Sequence, residues 1–177
     1  MQVQIEKRYY TPEEYLSLEK TAEYKSEYHN GEIIPMTGGT TNHNLIAGNF
    51  YVYLRYALRE KSYKVFFADV RLSIPLMNRY VYPDVMIIQG KPVYAGTGKT
   101  TITNPLIIVE VLSESTKNYD KGEKFDFYRS IPEFREYILI DQSKYYLAQY
   151  TKTSENQWLF TEYNGENNIL KLATVEV

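Results

Sequence analysis

The chain has 177 residues, of which 44% are apolar and 24% charged, with a net charge of -2. This composition is that of an ordinary globular protein and excludes a disordered chain, and we expect one domain over residues 1–177. The absence of cysteine excludes disulfides and thiolate metal sites. The mild acidity argues against a nucleic-acid binder that depends on bulk positive charge, although it leaves a local basic patch possible.

The sequence also bears on location and on zinc. Its N-terminal residues lack the apolar core of a signal peptide, and no run approaches the length of a membrane span, so we expect a cytoplasmic protein without a membrane partner. With two histidines and no cysteine, zinc is an improbable metal. Nineteen tyrosines are unusual and indicate an aromatic-rich sheet or an association surface, and only weakly base stacking.

The first elements are a helix and a hairpin. Thr11 before Pro12 and Glu14 predicts a capped helix that ends near residue 20. The pair Asn30-Gly31 favours a two-residue turn between strands over residues 25–29 and 32–36. Glu27 lies on the first of these strands, where an ordinary surface position is the simplest interpretation.

A long amphipathic helix follows, capped by Thr41 and continuing to about Lys61. His43 lies in its first turn, where local capping or packing is the commoner role and a contact with a ligand the rarer one. The apolar side chains recur at helical spacing and predict one stripe that packs on a sheet: Ile46, Phe50, Tyr53, Leu54, Ala57 and Leu58.

The rest of the chain is predicted to be mainly β. We expect strands over residues 64–75, 80–88 and 106–112, with a loop over residues 90–104. Alternation over residues 69–74 predicts one buried and one polar face for the first of these strands. A helix over residues 119–129 and a strand over residues 137–140 come next, and an antiparallel tail follows over residues 144–151, 157–163 and 169–174.

Two acidic residues stand in apolar strands. Glu110 interrupts the run from Leu106 to Leu112, whose continuous β-branched character indicates a strand covered on both faces. A buried, unpaired carboxylate costs several kcal/mol or shifts its pKa, so Glu110 needs a charged partner or a metal. Asp84 opens the preceding apolar strand. If the two strands are neighbours, both carboxylates can point at one spot.

Converging carboxylates are suitable ligands for Mg²⁺, which takes oxygen ligands and is usually held by one or two carboxylates and substrate phosphates. That arrangement predicts metal-assisted phosphodiester hydrolysis, with a nearby lysine to stabilise the charge on the phosphate. The structural alternative is about equally favoured by the residues themselves. Asp84 would then only begin a strand, and Glu110 would form an internal salt bridge.

The predicted helix over residues 119–129 and the residues just before it are rich in lysine. One face would carry three lysines and a tyrosine, at Lys117, Lys121, Lys124 and Tyr128. Such a face could contact nucleic acid locally. The commoner outcome is a solvated charged surface that nearby acids balance, here Asp120, Glu123 and Asp126.

Several motifs together resemble one known family. They are Tyr10-Thr11-Pro12-Glu13-Glu14-Tyr15, Ser26-Glu27-Tyr28-His29-Asn30-Gly31-Glu32-Ile33, Asn42-His43-Asn44, Tyr82-Pro83-Asp84-Val85, Val109-Glu110-Val111-Leu112-Ser113-Glu114-Ser115-Thr116, Asp120, Lys124, Tyr128 and Glu136-Tyr137. With these motifs the chain resembles the Uma-type restriction endonucleases of the PD-(D/E)XK nuclease superfamily. The resemblance spans almost the whole chain and implies an α/β fold with a central mixed β-sheet flanked by helices.

The resemblance also implies a site and a substrate. Asp84 and Glu110 would bind Mg²⁺ or Mn²⁺, and DNA would be the substrate of a homodimeric endonuclease. The lysine usual in the superfamily lies two residues after the second acid, where this chain has Leu112, so Lys124 would replace it. Glu27 would support the metal or orient water, and His43 would face the same cleft. The alternative is an inactive nuclease fold that serves as a homodimeric interaction or accessory protein.

Overall fold

The computed structural model describes residues 8–114 and 116–175. The N-terminal segment without signal-peptide character and Ser115 of the family motif lie outside the described residues. The helices are α1 (Pro12–Glu19), α2 (Thr41–Ala57), α3 (Lys117–Lys121) and α4 (Glu123–Tyr128). The strands are β1 (Ser26–His29), β2 (Glu32–Pro35), β3 (Tyr63–Phe67), β4 (Arg71–Ile74), β5 (Arg79–Val81), β6 (Val85–Gln89), β7 (Thr101–Ile102), β8 (Ile107–Leu112), β9 (Glu136–Asp141), β10 (Tyr146–Ser154) and β11 (Gln157–Asn164).

The strands form two mixed sheets. The five-stranded sheet has the order β2-β1-β5-β4-β7, and the six-stranded sheet has the order β11-β10-β9-β8-β6-β3. The pairs β4–β7 and β8–β9 are parallel, whereas the other pairs are antiparallel. Helices flank these sheets. The predicted α/β class with a mixed sheet and an antiparallel C-terminal extension is confirmed.

The six-stranded sheet has an apolar layer on each face. On one face, Met86, Ile108 and Leu112 pack with residues of the five-stranded sheet and of α4. On the other face, Val85 and Val109 pack against α2. Because side chains alternate along a strand, Glu110 shares the face of Ile108 and Leu112, towards α4.

The first helix and the hairpin have the predicted local chemistry. The Thr11 hydroxyl accepts the Glu14 N–H, and the Glu14 carboxylate accepts the Thr11 N–H, which completes the capping box. Asn30 and Gly31 have φ angles of 48° and 101°. Positive φ at both turn residues matches the twist of the flanking strands, so the hairpin of β1 and β2 is confirmed.

Two of the predicted strands are wrong, because each is divided between the two sheets. The segment over residues 64–75 forms β3 and β4, and the segment over residues 80–88 forms β5 and β6. Ala68 lies between β3 and β4, where the chain passes from one sheet to the other, and has a φ of 52°. Its N–H donates to the Asp84 carbonyl at 2.9 Å, so the two segments that pass between the sheets are hydrogen-bonded to each other.

Burial along β4 also differs from the prediction of one polar face. Arg71 and Ser73 are buried as well as Leu72 and Ile74, because the strand is covered on both sides. The predicted loop over residues 90–104 contains the short strand β7, which pairs with β4.

The helices begin and end at other residues than predicted. Thr40, not Thr41, caps α2, which ends at Ala57, and Tyr53 faces solvent with 63% of its surface exposed. The predicted helix over residues 119–129 is two short helices that meet at Gly122, whose φ and ψ of -111° and -90° are not helical. Among the described residues, no helix is both long enough and apolar enough to span a bilayer.

The segment over residues 169–174 forms no strand, contrary to the prediction. It is held instead by the buried carboxylate of Glu136, which accepts the backbone N–H groups of Ala173 and Thr174 at 3.1 and 3.2 Å. The Thr174 hydroxyl donates to the same carboxylate at 2.7 Å, and the Gln149 amide also donates to it. One side chain therefore supplies the acceptors that a neighbouring strand would have provided.

Glu136→Ala should detach this segment. The change leaves several buried donors without an acceptor, so we expect the free energy of unfolding to fall by about 3 kcal/mol in urea titrations. Trypsin should also cleave after Lys171 faster than in the unchanged protein. Glu133→Ala, at an exposed neighbouring position, is the matched control and should behave as the unchanged protein. Equal stability of the two variants would contradict this account of Glu136.

Candidate active site

Strand pairing brings Asp84 and Glu110 together. Strands β6 and β8 are antiparallel, with Val85 opposite Val109. One residue further along this register, Asp84 lies opposite Glu110. Directly opposite residues of an antiparallel pair project to the same face of the sheet, so both carboxylates emerge at one end of the β6–β8 pair.

Among the described residues, the side chain of Asp84 has two contacts, both through Oδ2. The N–H of Val111 donates to this oxygen at 2.8 Å, and Nε2 of His43 lies 3.1 Å from it. The hydrogen bond with Asp84 raises the pKa of His43 above its ordinary value, although partial burial opposes the rise. The hydroxyl of Thr40 accepts the N–H of His43 at 3.1 Å and so caps α2. His43 therefore lies in the first turn of this helix, with its imidazole in contact with Asp84.

Glu110 is buried and is bound by two side chains from α4. Its Oε1 accepts from Nζ of Lys124 at 3.0 Å and from the Tyr128 hydroxyl at 2.7 Å. Lys124 also lies 3.2 Å from Oδ1 of Asp120, which is buried too. The interpretation of this segment as a solvated charged face is therefore wrong for Lys124, which is only 7% exposed.

Burial sets the protonation of this pair. It raises the pKa of Glu110 to about 8, and the ammonium of Lys124 opposes that rise while Asp84 and Asp120 add to it. Burial alone would lower the pKa of Lys124, but Glu110, Asp120 and Glu27 together raise it well above its ordinary value. Lys124 therefore stays protonated at neutral pH. Any further positive charge at Glu110 would favour the carboxylate form of this residue.

Glu27 is buried, so its interpretation as an ordinary surface residue is wrong. Its Oε2 lies 2.8 Å from Nε2 of His29, and the N–H of Tyr82 donates to its Oε1 at 3.4 Å. Burial would raise the pKa of Glu27, but His29 and Lys124 bring it below its ordinary value. The hydroxyl of Tyr119 lies 3.1 Å from Nε2 of His29 and completes this group.

Neither His29 nor Tyr119 is predicted from the sequence to belong to the site. A signal for His29 exists, since it is two residues from Glu27 on β1 and therefore on the same face of that strand. Tyr119 has no comparable signal, because its position depends on how α3 packs. Within residues 8–114 and 116–175, no three histidine, aspartate or glutamate side chains are grouped in a way that could hold a metal ion.

Comparison with known proteins gives a family match over most of the chain. Residues 12–176 match the Uma2 family, described as "Putative restriction endonuclease". The uncharacterized protein sll1609 of Synechocystis is 41% identical over 167 residues, which are 94% of each chain. A second uncharacterized Synechocystis protein, slr1290, is 31% identical over 159 residues, which are 90% of this chain and 83% of that one.

A solved structure has the same fold. It is the crystal structure of a "putative nuclease belonging to DUF820" from Anabaena variabilis, with a TM-score of 0.74 and 15% identity. The match covers 92% of this chain and 89% of the other. At this identity the likeness concerns the fold.

The raised pKa of Glu110 should make stability depend on pH. Between about pH 5 and pH 8, the folded protein keeps a proton on Glu110 that the unfolded chain releases near pH 4.5. The folded state is therefore disfavoured as pH rises through this window. Relative to Glu110→Gln, the unchanged protein should lose stability by about 1 kcal/mol per pH unit.

Urea titrations at a series of pH values in EDTA would measure this difference. Glu114→Gln is the control, because Glu114 is an exposed acid near the same strand, and it should not reproduce the effect of Glu110→Gln. A constant difference between the unchanged protein and Glu110→Gln would contradict the assignment.

Proposed function

The chain belongs to the Uma2 family, and from this premise we propose that it is a metal-dependent endonuclease that hydrolyses phosphodiester bonds of DNA. The observation that carries the proposal is the position of Asp84 opposite Glu110, with the ammonium of Lys124 3.0 Å from Glu110. Two carboxylates and a cation at one end of a strand pair are the groups that phosphodiester hydrolysis needs.

The donor set fits Mg²⁺ or Mn²⁺. Both ions accept carboxylate oxygens, and Mg²⁺ keeps several waters, so it needs only one or two carboxylates from the protein. The contacts described for Asp84 fall on Oδ2 and those for Glu110 on Oε1. Asp84 and Glu110 could thus bind the ion without losing these contacts. A bound ion would polarise the phosphoryl oxygen and lower the pKa of water.

The protein's own residues would orient the reacting groups. His43 and the N–H of Val111 fix the carboxylate of Asp84, and Tyr128 fixes that of Glu110. Lys124 carries a permanent charge and would bind a phosphate oxygen as negative charge develops. Glu27, held ionised beside His29, would orient the attacking water as a hydrogen-bond acceptor.

The position of Lys124 explains why residue 112 need not be a lysine. Leu112 stands where the resemblance expects a lysine, and its side chain belongs to the apolar layer between the sheets. Lys124 reaches the same carboxylate from α4 instead. The charge needed next to Glu110 is thus supplied by a helix rather than by the strand.

We further propose that the protein acts in the cytoplasm as a homodimer. The support for a dimer is the outer strand β11, where Leu159 and Phe160 are exposed. An edge strand with exposed apolar side chains is a surface that a second chain can cover.

A second candidate is a nuclease fold without hydrolytic activity that serves in protein interaction. The observation that favours it is that Lys124 and Tyr128 both donate hydrogen bonds to Glu110. The buried side chain of Glu110 therefore has partners without a metal. Titration calorimetry with Mn²⁺ distinguishes the two candidates. An active site should bind the ion, with affinity lost in Asp84→Asn, whereas an inactive one should bind it weakly or not at all.

Asp84→Asn and Glu110→Gln should each abolish cleavage of a supercoiled plasmid in the presence of Mg²⁺. Each change removes a negative charge from the pair while keeping the shape of the side chain, so the far-UV circular dichroism should not change. Cleavage should fall at least about a hundredfold, the scale for loss of one essential electrostatic group. Nicked and linear products on a gel give the measurement.

Asp126→Asn is the matched control, because Asp126 is an exposed acid on α4 that pairs with Arg129 at the surface. This variant should cleave as the unchanged protein does. The proposed activity is refuted if the unchanged protein cleaves no nucleic acid with Mg²⁺ or Mn²⁺, or if both site variants cleave normally.

A further inference from the structure

A cavity of about 570 Å³ opens between the start of α2, the turn that joins β9 to β10, and the segment after β11. This volume lies within the range of sites for small organic ligands, roughly 300–1,000 Å³. Its lining includes Ile46, Leu147 and Leu170, which are half-buried, and the two leucines pack against the apolar layer under α2. The cavity therefore offers an apolar surface that the fold leaves partly open.

Two lining residues of the cavity are neighbours of candidate-site residues, one along the chain and one across the sheet. Asn42 lines it and directly precedes His43, whose imidazole contacts Asp84. Asp141 also lines it and pairs with Leu112 in the sheet, two residues beyond Glu110 on β8. Two residues of a strand span roughly 7 Å. The cavity thus lies on the α2 side of the sheet end that carries Asp84 and Glu110, and a nucleotide next to the reacting phosphate would reach it past His43.

The chemistry of the lining suits a nucleobase. Tyr145 stands at the rim with 72% of its surface exposed, and an aromatic ring there can stack on a base. The Asn42 amide donates to the Gln142 carbonyl, and Oε1 of Gln142 accepts from the Thr40 hydroxyl. With these bonds kept, Oδ1 of Asn42 and Nε2 of Gln142 could hydrogen-bond to base edges. Asp141 and Glu166 also line the cavity, and their negative charges repel a phosphate. A neutral planar group is therefore favoured inside.

Two lysines stand at the side of the cavity. The ammonium groups of Lys144 and Lys121 lie 4.9 and 5.1 Å from the ring centre of Tyr146, which is itself a lining residue. They are placed to bind the phosphates that precede and follow a base. A base in the cavity with cations beside it is the pattern of a single-strand site, in which stacking and backbone contacts act together.

We propose that this cavity binds an unpaired base next to the cleaved phosphate and that the substrate is single-stranded DNA. The inference rests on the proposed function for the identity of the polymer. A base in a duplex is stacked and paired, and it would have to leave the helix at a cost of a few kcal/mol to enter such a site. A single strand offers its bases without that cost.

The test is the binding of one labelled oligonucleotide, as a single strand and as a blunt duplex, followed by fluorescence anisotropy in EDTA so that no hydrolysis occurs. The single strand should bind more tightly than the duplex. Tyr145→Ala should weaken single-strand binding about tenfold, the scale of one lost stacking contact. Tyr145→Phe, which keeps the ring, should bind as the unchanged protein does.

Tyr24→Ala is the matched control, because Tyr24 lies between α1 and β1 and is 73% exposed. It should not change the affinity. The inference is overturned if single strand and duplex bind equally, or if Tyr145→Ala and Tyr24→Ala bind alike. Because the assay needs no cleavage, its outcome is separable from the plasmid experiment. Cleavage without single-strand preference refutes only the present inference, and single-strand preference without cleavage of either plasmid or circular single-stranded DNA refutes only the proposed activity.

Discussion

The contact on which the rest of the site depends is the buried pair of Glu110 and Lys124. When both groups are ionised, above about pH 8 or with a cation at Glu110, two charges are removed from water, and their attraction offsets this cost only when further hydrogen bonds satisfy both groups. Here Tyr128 donates to Glu110, and Asp120 gives Lys124 a second carboxylate. The pair therefore ties α4 to the central strand β8. Any chemistry at Glu110 takes place with a cation already in contact with it.

Asp84 connects this pair to the architecture, because it lies where the chain passes from the five-stranded to the six-stranded sheet. Strand β6 begins at the next residue, so the N–H of Val111 on β8 is bound by the side chain of Asp84 rather than by a strand carbonyl. The Asp84 carbonyl accepts a hydrogen bond from the N–H of Ala68, which lies between β3 and β4, where the chain also passes from one sheet to the other. The acid thus completes the hydrogen bonding of the sheet end at the same place where it faces Glu110.

The sequence predicts those parts of the fold that depend on local chemistry. The Asn30-Gly31 turn and the capping box of Thr11 need only their own residues, and alternation lets Asp84 and Glu110 point at one spot on the condition that their strands are neighbours. Alternation does not reveal which sheet a strand joins, so the crossings near Ala68 and Asp84 are missed. Burial of Lys124 is also hidden, because lysines and acids alternate along its segment as they do on a solvated surface.

The second partner of Lys124 matters most when the site is considered at work. Under the proposed function, a cation and Lys124 would share the carboxylate of Glu110, and a charge brought next to an ammonium would repel it. Lys124 still has Asp120 at 3.2 Å, so it could turn from Glu110 towards a substrate phosphate without becoming an unpaired buried charge. A lysine on the strand at position 112 would project beside Glu110 from the same backbone. Lys124 on α4 is instead paired with a separate acid, Asp120. It could therefore supply the charge that the proposed reaction requires and still keep a partner in the folded protein.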